Sequence, residues 1–331
     1  MRIKSKKISI LGWIISIVII AIALFYFNWK EVFAIFKKIK IQFLFLLLFI
    51  YIFDFILRAF RWKLLLSPIK KTVSLQKLFF SYNIAYFANI FLPVRSGELF
   101  RIVITSKEEG ILKRAILGTL IFERILDILG IGVVISFLLF FMGRYSFSAG
   151  NVKINFLFWS RIFLIIPLTC ILLILIIKKL RLIKRERKVL MKIIEFLRPI
   201  YMGFSCIHQW TTFLSIVILS IFMWFLNSFI LYIYMAALSL NSTFFDSTII
   251  LVCQLLGEFI PSAPASMGTF HASTVIGAKI VGLVKEQGIV LALLNHSYDL
   301  AIRIILGLMS IHFLNFDFKK GINEVRHGIS R

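Results

Sequence analysis

The chain has 331 residues, 60% of them hydrophobic, with a mean hydropathy of +0.95. A soluble domain runs about 45–50% apolar even with glycine counted, and here the excess is gathered into blocks, which excludes a water-soluble enzyme or a secreted scaffold. Thirty-nine Lys and Arg against 15 Asp and Glu give a net charge of +24. In a soluble chain that would suggest nucleic acid. Here most of the basic residues fall between apolar blocks, where they set topology and meet the anionic phospholipid surface, so no nucleic-acid partner is expected.

In chain order, the first block is 8–27. It follows Arg2, Lys4, Lys6 and Lys7, outruns the roughly 7–15 apolar residues of a signal peptide and shows no small-residue cleavage site, so it reads as a retained span with a cytoplasmic N-terminus. Block 41–57 is a second span. Both are long enough, at about 1.5 Å per residue, to cross about 30 Å of hydrocarbon. Loop 28–40 carries Lys30, Lys37, Lys38 and Lys40, an awkward load for an outside loop. Stretch 58–77, with Arg58, Arg61, Lys63, Lys70, Lys71 and Lys77, reads as inside, and so does 95–114, with Arg95, Arg101, Lys107, Lys113 and Arg114. The segment between them, 78–92, is short and holds Asn83 and Asn89. It cannot span the membrane and also end on the side where it began, so it reads as one arm of a re-entrant hairpin.

Spans 115–141 and 159–177 follow around the sparse loop 142–158, and then comes 178–208 with nine Lys or Arg. Its alternation of charged and apolar residues predicts an interfacial helix on anionic lipid. Span 212–236 leads to 237–247, which has no Lys or Arg. Segment 248–284, broken at Pro261, Pro264 and Gly268, should enter and leave on the outer side, and span 289–314 returns the chain inward. The predicted fold is an all-α, multi-pass integral membrane domain over 1–331, in the cytoplasmic membrane of a prokaryote. It has about six full spans and two inverted re-entrant hairpins, or about seven to eight helices by hydropathy, with both termini cytoplasmic. Pseudo-repeat halves 1–177 and 209–315 are joined by 178–208.

The two hairpins resemble each other. NIFLPVRSGELFR at 89–101 hinges at Pro93 and Gly97 and precedes a span with Glu123, Arg124 and Asp127; GEFIPSAPASMGTFH at 257–271 hinges at Pro261, Pro264 and Gly268 and precedes a span with Asp299 and Arg303. Inverted pairs of broken helices place the binding sites of many transporters near the midplane; the bland alternative is that Pro and Gly are simply common in membrane helices. Asp, Lys or Arg at the centre of a membrane helix costs about 2.5–3.5 kcal/mol. Glu123, Arg124, Asp127, Asp299 and Arg303 therefore either pair as structural salt bridges or line a cavity for a polar headgroup, and both can hold together. At the first hairpin tip, Arg95 and Arg101 suit phosphate, because a guanidinium takes two oxygens at once; Glu98 would orient one of them or meet a cationic headgroup.

His208, His271, His296, His312 and His327 show no zinc-ligand spacing, so neither metal nor cofactor is expected. His271 and His296 share the second inverted unit and read either as proton carriers or as ordinary hydrogen-bonding histidines. Cys170, Cys206 and Cys253 are far apart and make no CxxC.

NIFLPVRSGELFR, FERILDILG at 122–130, FIPSAPASMGTF at 259–270 and DLAIRIILG at 299–307 together resemble the lysylphosphatidylglycerol synthase transmembrane (flippase-like) family, over about 5–315. On this resemblance Asn89, Pro93, Arg95, Gly97, Glu98, Arg101, Glu123, Arg124 and Asp127 stand at its characteristic positions, and Pro261, Pro264, Gly268 and Arg303 fit its second hairpin and following arginine. Thr269, Phe270 and His271 stand where members often carry an acid. The resemblance implies movement of lipid and not its synthesis, since no soluble synthase-like segment follows Phe313.

The expected function is a non-enzymatic, flippase-like transport of a polar or anionic phospholipid, aminoacylated forms included. Asn89, Arg95, Glu98, Arg101, Glu123, Arg124, Asp127, Asp299 and Arg303 are the candidate substrate-binding residues. An intramembrane lipid-headgroup transferase, or an accessory protein of envelope assembly, is the alternative, and a homo-oligomer is left open.

Overall fold

Backbone N–H and C=O groups in hydrocarbon must be paired within the segment that carries them, so an apolar chain of this kind folds as helices. The computed structural model describes residues 14–92 apart from 15, 20 and 24, then 96–142, 148–149, 152–153, 202–258, 260 and 262–327. The expected span 159–177, the interfacial helix over most of 178–208, and Pro93, Arg95, Pro261 and Cys170 lie outside these residues.

The described residues within 14–26 are helical. After them come α1 (Trp29–Phe36), α2 (Ile41–Leu66), α3 (Leu75–Phe91), α4 (Glu98–Glu109), α5 (Lys113–Met142), α6 (Trp210–Ala237), α7 (Phe244–Glu258), α8 (Thr269–Ile280), α9 (Lys285–Phe313) and α10 (Phe318–His327). Two-residue strands Ser148–Ala149 and Val152–Lys153 pair antiparallel after α5. Among the described residues three helices are long and apolar enough to cross a membrane: α2, α6 and α9. The 26 residues of α2 make about 39 Å of helix, so the second span does not end at 57. It runs on through Arg58, Arg61 and Lys63, which are helical and not loop residues.

The chain divides into two units. One holds residues 57–78 and 104–225. There the turn between α2 and α3 is tied to the end of α4. Lys70 Nζ donates to the Glu109 carbonyl oxygen at 2.9 Å and to Oε2 at 2.7 Å, Ser74 N–H donates to Glu109 Oε1 at 3.2 Å, and Lys77 pairs with Glu108 at 3.1 Å. Two glutamates at a helix C-terminus oppose the helix dipole, and the lysines offset that charge.

The other unit holds residues 1–56, 79–103 and 226–331, and both helix–break–helix segments fall mostly within it. α3 and α4 run antiparallel: Gly97 faces Ala85 and Asn89, while Arg101 faces Tyr82. α7 and α8 do the same. Gly257 abuts Ser273, Gln254 Nε2 donates to Thr274 Oγ1 at 3.1 Å, and Gly277 abuts Ile250 and Cys253. At Gly257 the helices approach too closely for a larger side chain, and at Gly277 a Cβ would press on Ile250 and Cys253, the usual role of small residues between membrane helices. At 17, 12, 15 and 12 residues, these four helices are all shorter than the roughly 20 residues of a full span.

α9 packs against α8 and against α3 in this unit. Toward α8, its His296 ring lies 4.8 Å from His271 and 5.0 Å from Phe270. Toward α3, Phe313 stacks on Phe80 at 5.4 Å and the Arg303 guanidinium lies over Tyr86, so α3 and α9 are antiparallel.

Candidate functional site

The span acids predicted on α5 are present as a buried ionic cluster, and its centre is a residue that sequence reasoning placed in a loop. The Arg61 side chain is fully buried. Its Nη2 donates to Glu123 Oε1 at 3.0 Å, and its Nη1 donates to Asp127 Oδ1 at 2.8 Å and to Ser220 Oγ at 3.0 Å. Arg124 closes the cluster from outside, with Nη2 3.5 Å from Glu123 Oε1 and Nη1 3.3 Å from Asp127 Oδ2. Among the described residues the cluster balances two acids with two guanidiniums. One signal in the sequence called for such a partner without identifying it: two acids one turn apart in an apolar helix exceed Arg124 by one charge, and that excess demands a further cation. Next to it Trp62 Nε1 donates to Thr119 Oγ1 at 3.1 Å, fixing α2 against α5.

The remaining candidates belong to the other unit. Asn89 is a clasp between hairpin arms: its Oδ1 accepts the Gly97 N–H at 2.7 Å. Glu98 and Arg101 pair at 3.1 Å, one turn apart. Arg101 is only 1% exposed, and its guanidinium lies 4.0 Å above the Tyr82 ring. Tyr82 stacks on Tyr86 with centroids 5.0 Å apart and planes 20° apart, and the Arg303 guanidinium lies 4.8 Å over Tyr86. Arg303 Nε stands 2.8 Å from Asp299 Oδ2. The Nε hydrogen is not aligned for a hydrogen bond, so this contact is electrostatic. The two tyrosines, which no sequence pattern singles out, thus connect the arginine of the first hairpin with the arginine of α9.

At the second hairpin tip Pro264 opens a short 3-10 turn, Pro264–Ser266. Ala265 and Ser266 are left-handed, with φ of 58° and 57°, and Gly268 follows at 90°. L-residues adopt such angles at a cost of about 1–2 kcal/mol each, so something must hold the turn. Ser16 Oγ donates to the Met267 carbonyl oxygen at 2.6 Å and accepts the Ala263 N–H at 2.8 Å; His296 Nε2 lies 2.9 Å from the Ala265 carbonyl oxygen. His296, Asp299 and Arg303 share one face of α9 by their spacing. Among the described residues no group of three or more His, Cys, Asp or Glu could hold a metal ion.

Long apolar helices, broken short ones and ionised groups held inside them define a multi-pass membrane protein with polar sites in its interior. Residues 13–307 match the family described as the lysylphosphatidylglycerol synthase TM region, and the chain belongs to that family. It is similar to the UPF0104 membrane protein MJ1595 of Methanocaldococcus jannaschii, with 24% identity over 342 residues, covering 97% of this chain and 99% of that protein. No solved structure matches the chain.

Proposed function

We propose that the chain moves a polar or anionic phospholipid between membrane leaflets, in the manner of a flippase, without altering it chemically. The observation that carries this reading is Arg303, whose side chain is 30% exposed within a 29-residue apolar helix. A charge at this depth costs about 2.5–3.5 kcal/mol unless it is paired or hydrated, and a partly open one suits a polar group passing through. Membership of a family named for lysylphosphatidylglycerol synthase supports a lipid cargo. The α3–α4 and α7–α8 pairs are then re-entrant hairpins entering from opposite faces, and the acyl chains stay in lipid while the headgroup passes the charged face of α9.

Reconstitution into liposomes carrying acyl-labelled phosphatidylglycerol tests this. Inner-leaflet label should become reducible by external dithionite, with the headgroup unchanged by mass spectrometry. A changed headgroup would favour the transferase alternative, and label that stays protected at every protein density counts against transport.

A further inference from the structure

Among the described residues Arg124 and Arg303 are both partly exposed arginines on apolar helices, and their hydrogen-bonding capacity differs. Arg124 is the more exposed at 48%, yet both its amino groups face carboxylates, Nη2 toward Glu123 and Nη1 toward Asp127. Arg303 is arranged the other way round. Asp299 holds it at Nε, Tyr86 supports the plane from one side, and neither Nη1 nor Nη2 has a protein partner among the described residues. Tyr86 is itself fixed, by Tyr82 stacked at 5.0 Å and by the edge-on ring of Phe55 at 5.4 Å.

We infer that Arg303 is the phosphate-binding residue of the transport path, with Tyr86 and Asp299 as its positioning residues, and that Arg124 is not a ligand; this rests on the transport reading above and names its substrate class as phosphate-bearing lipid. A planar fork presenting two parallel N–H groups matches two oxygens of a phosphodiester. The cation–π platform fixes the plane without consuming a donor. Asp299 offsets the guanidinium charge and tempers the affinity, as release on the far side requires. Ordering the fork in advance reduces the conformational entropy lost on binding.

The test compares acyl-labelled phosphatidylglycerol with an acyl-labelled glucosyl diacylglycerol, which has no phosphate, in the same proteoliposome assay. Wild type should move the first at least tenfold faster than the second. Arg303→Lys, which keeps the charge and loses the fork, should slow phosphatidylglycerol at least tenfold, while Arg124→Lys should stay within about threefold of wild type. Tyr86→Phe keeps the ring face and should stay within about twofold. Tyr86→Leu should raise the lipid fraction needed for half-maximal rate more than it lowers the maximum, a split that a merely structural role would not give. Each variant is matched to wild type by gel filtration. Equal movement of both lipids, or full activity of Arg303→Lys, overturns the inference and leaves lipid transport standing. Movement of neither lipid by wild type overturns the transport reading and this assignment with it.

Discussion

The Arg61 guanidinium meets the Asp127 carboxylate at 2.8 Å across 66 positions of sequence, while its other amino group takes Glu123. Each carboxylate is thereby compensated inside the protein. Removing one partner of a buried ion pair costs about 3–5 kcal/mol, because the other charge stays buried. Arg61→Ala should therefore lower the melting temperature in detergent far more than Arg124→Ala, whose side chain is half exposed. Arg61→Lys should fall between them, since one ammonium cannot place two parallel donors on two carboxylates. Equal losses from Arg61→Ala and Arg124→Ala would show that Arg61 is not the centre of the cluster.

Asn89 and Gly97 should act as one device. A Cβ at Gly97 would run into the Ala85 carbonyl oxygen and the Asn89 side chain, so Gly97→Ala must separate the arms of the first hairpin. Asn89→Ala removes only the acceptor of the Gly97 N–H and should cost about 1–3 kcal/mol, the usual penalty for stranding a buried donor. Thermal unfolding should rank the variants wild type, Asn89→Ala, Gly97→Ala. A Gly97→Ala protein as stable as wild type would mean that the arms are not held as described.

The second hairpin tip offers a substitution that should stabilise. Ala265 sits at φ 58°, where glycine carries no side-chain penalty. Ala265→Gly should gain about 0.5–1 kcal/mol after the extra entropy of the unfolded glycine is subtracted. Ala263→Gly, at φ −57°, has no strain to relieve and should lose stability. The comparison is a pair of melting curves, and a loss in Ala265→Gly would remove the claim of strain.

Long apolar periods were legible in the sequence because a 20-residue block admits few alternatives. Segments 115–141, 212–236 and 289–314 correspond to α5, α6 and α9, and the arms 78–92, 248–260 and 271–284 to α3, α7 and α8. The charged pairs were legible as well, since intramembrane charge is costly wherever it occurs. Arg61 was hidden because basic residues near a span end are ordinarily topogenic, and only the continuation of α2 to Leu66 turns this one inward. Tyr82 and Tyr86 were hidden for a different reason: aromatic residues are common in membrane helices, and cation–π stacking depends on which helix face meets which, a tertiary property. The 95–114 stretch read as a polar loop but contains α4, whose Phe100, Ile102, Val103 and Ile104 are buried.

Membrane sidedness is testable with single cysteines in a background lacking Cys170, Cys206 and Cys253. Positions in 237–247 should react with an impermeant thiol reagent added outside intact cells, and positions in 178–208 should not. Cysteines within 95–101 and within 262–268 should report opposite faces if the hairpins are inverted. Labelling of both tips from one side only would leave two hairpins without inversion. Segment 28–40 is not the loop expected, since α1 occupies Trp29–Phe36, and single cysteines beside its four lysines should report which face it lies on.

Arg101 and Arg303 should separate into a residue that holds the fold and one that serves transport. Both lie over a tyrosine face, Arg101 at 4.0 Å and Arg303 at 4.8 Å. The difference is burial: Arg101 is 1% exposed and paired with Glu98, whereas the Arg303 side chain is 30% exposed with its terminal amino groups open. Replacing Arg101 by Lys puts a more strongly hydrated ammonium into a dry, stacked position. The expected outcome is a clear fall in melting temperature, with the activity per folded molecule reduced by less than about threefold. Arg303→Lys should do the opposite, keeping its melting temperature close to wild type and losing transport. Measuring both quantities on the same preparations decides the matter: a transport loss in Arg101→Lys at unchanged stability would move Arg101 from the framework of the hairpin into the path of the lipid headgroup.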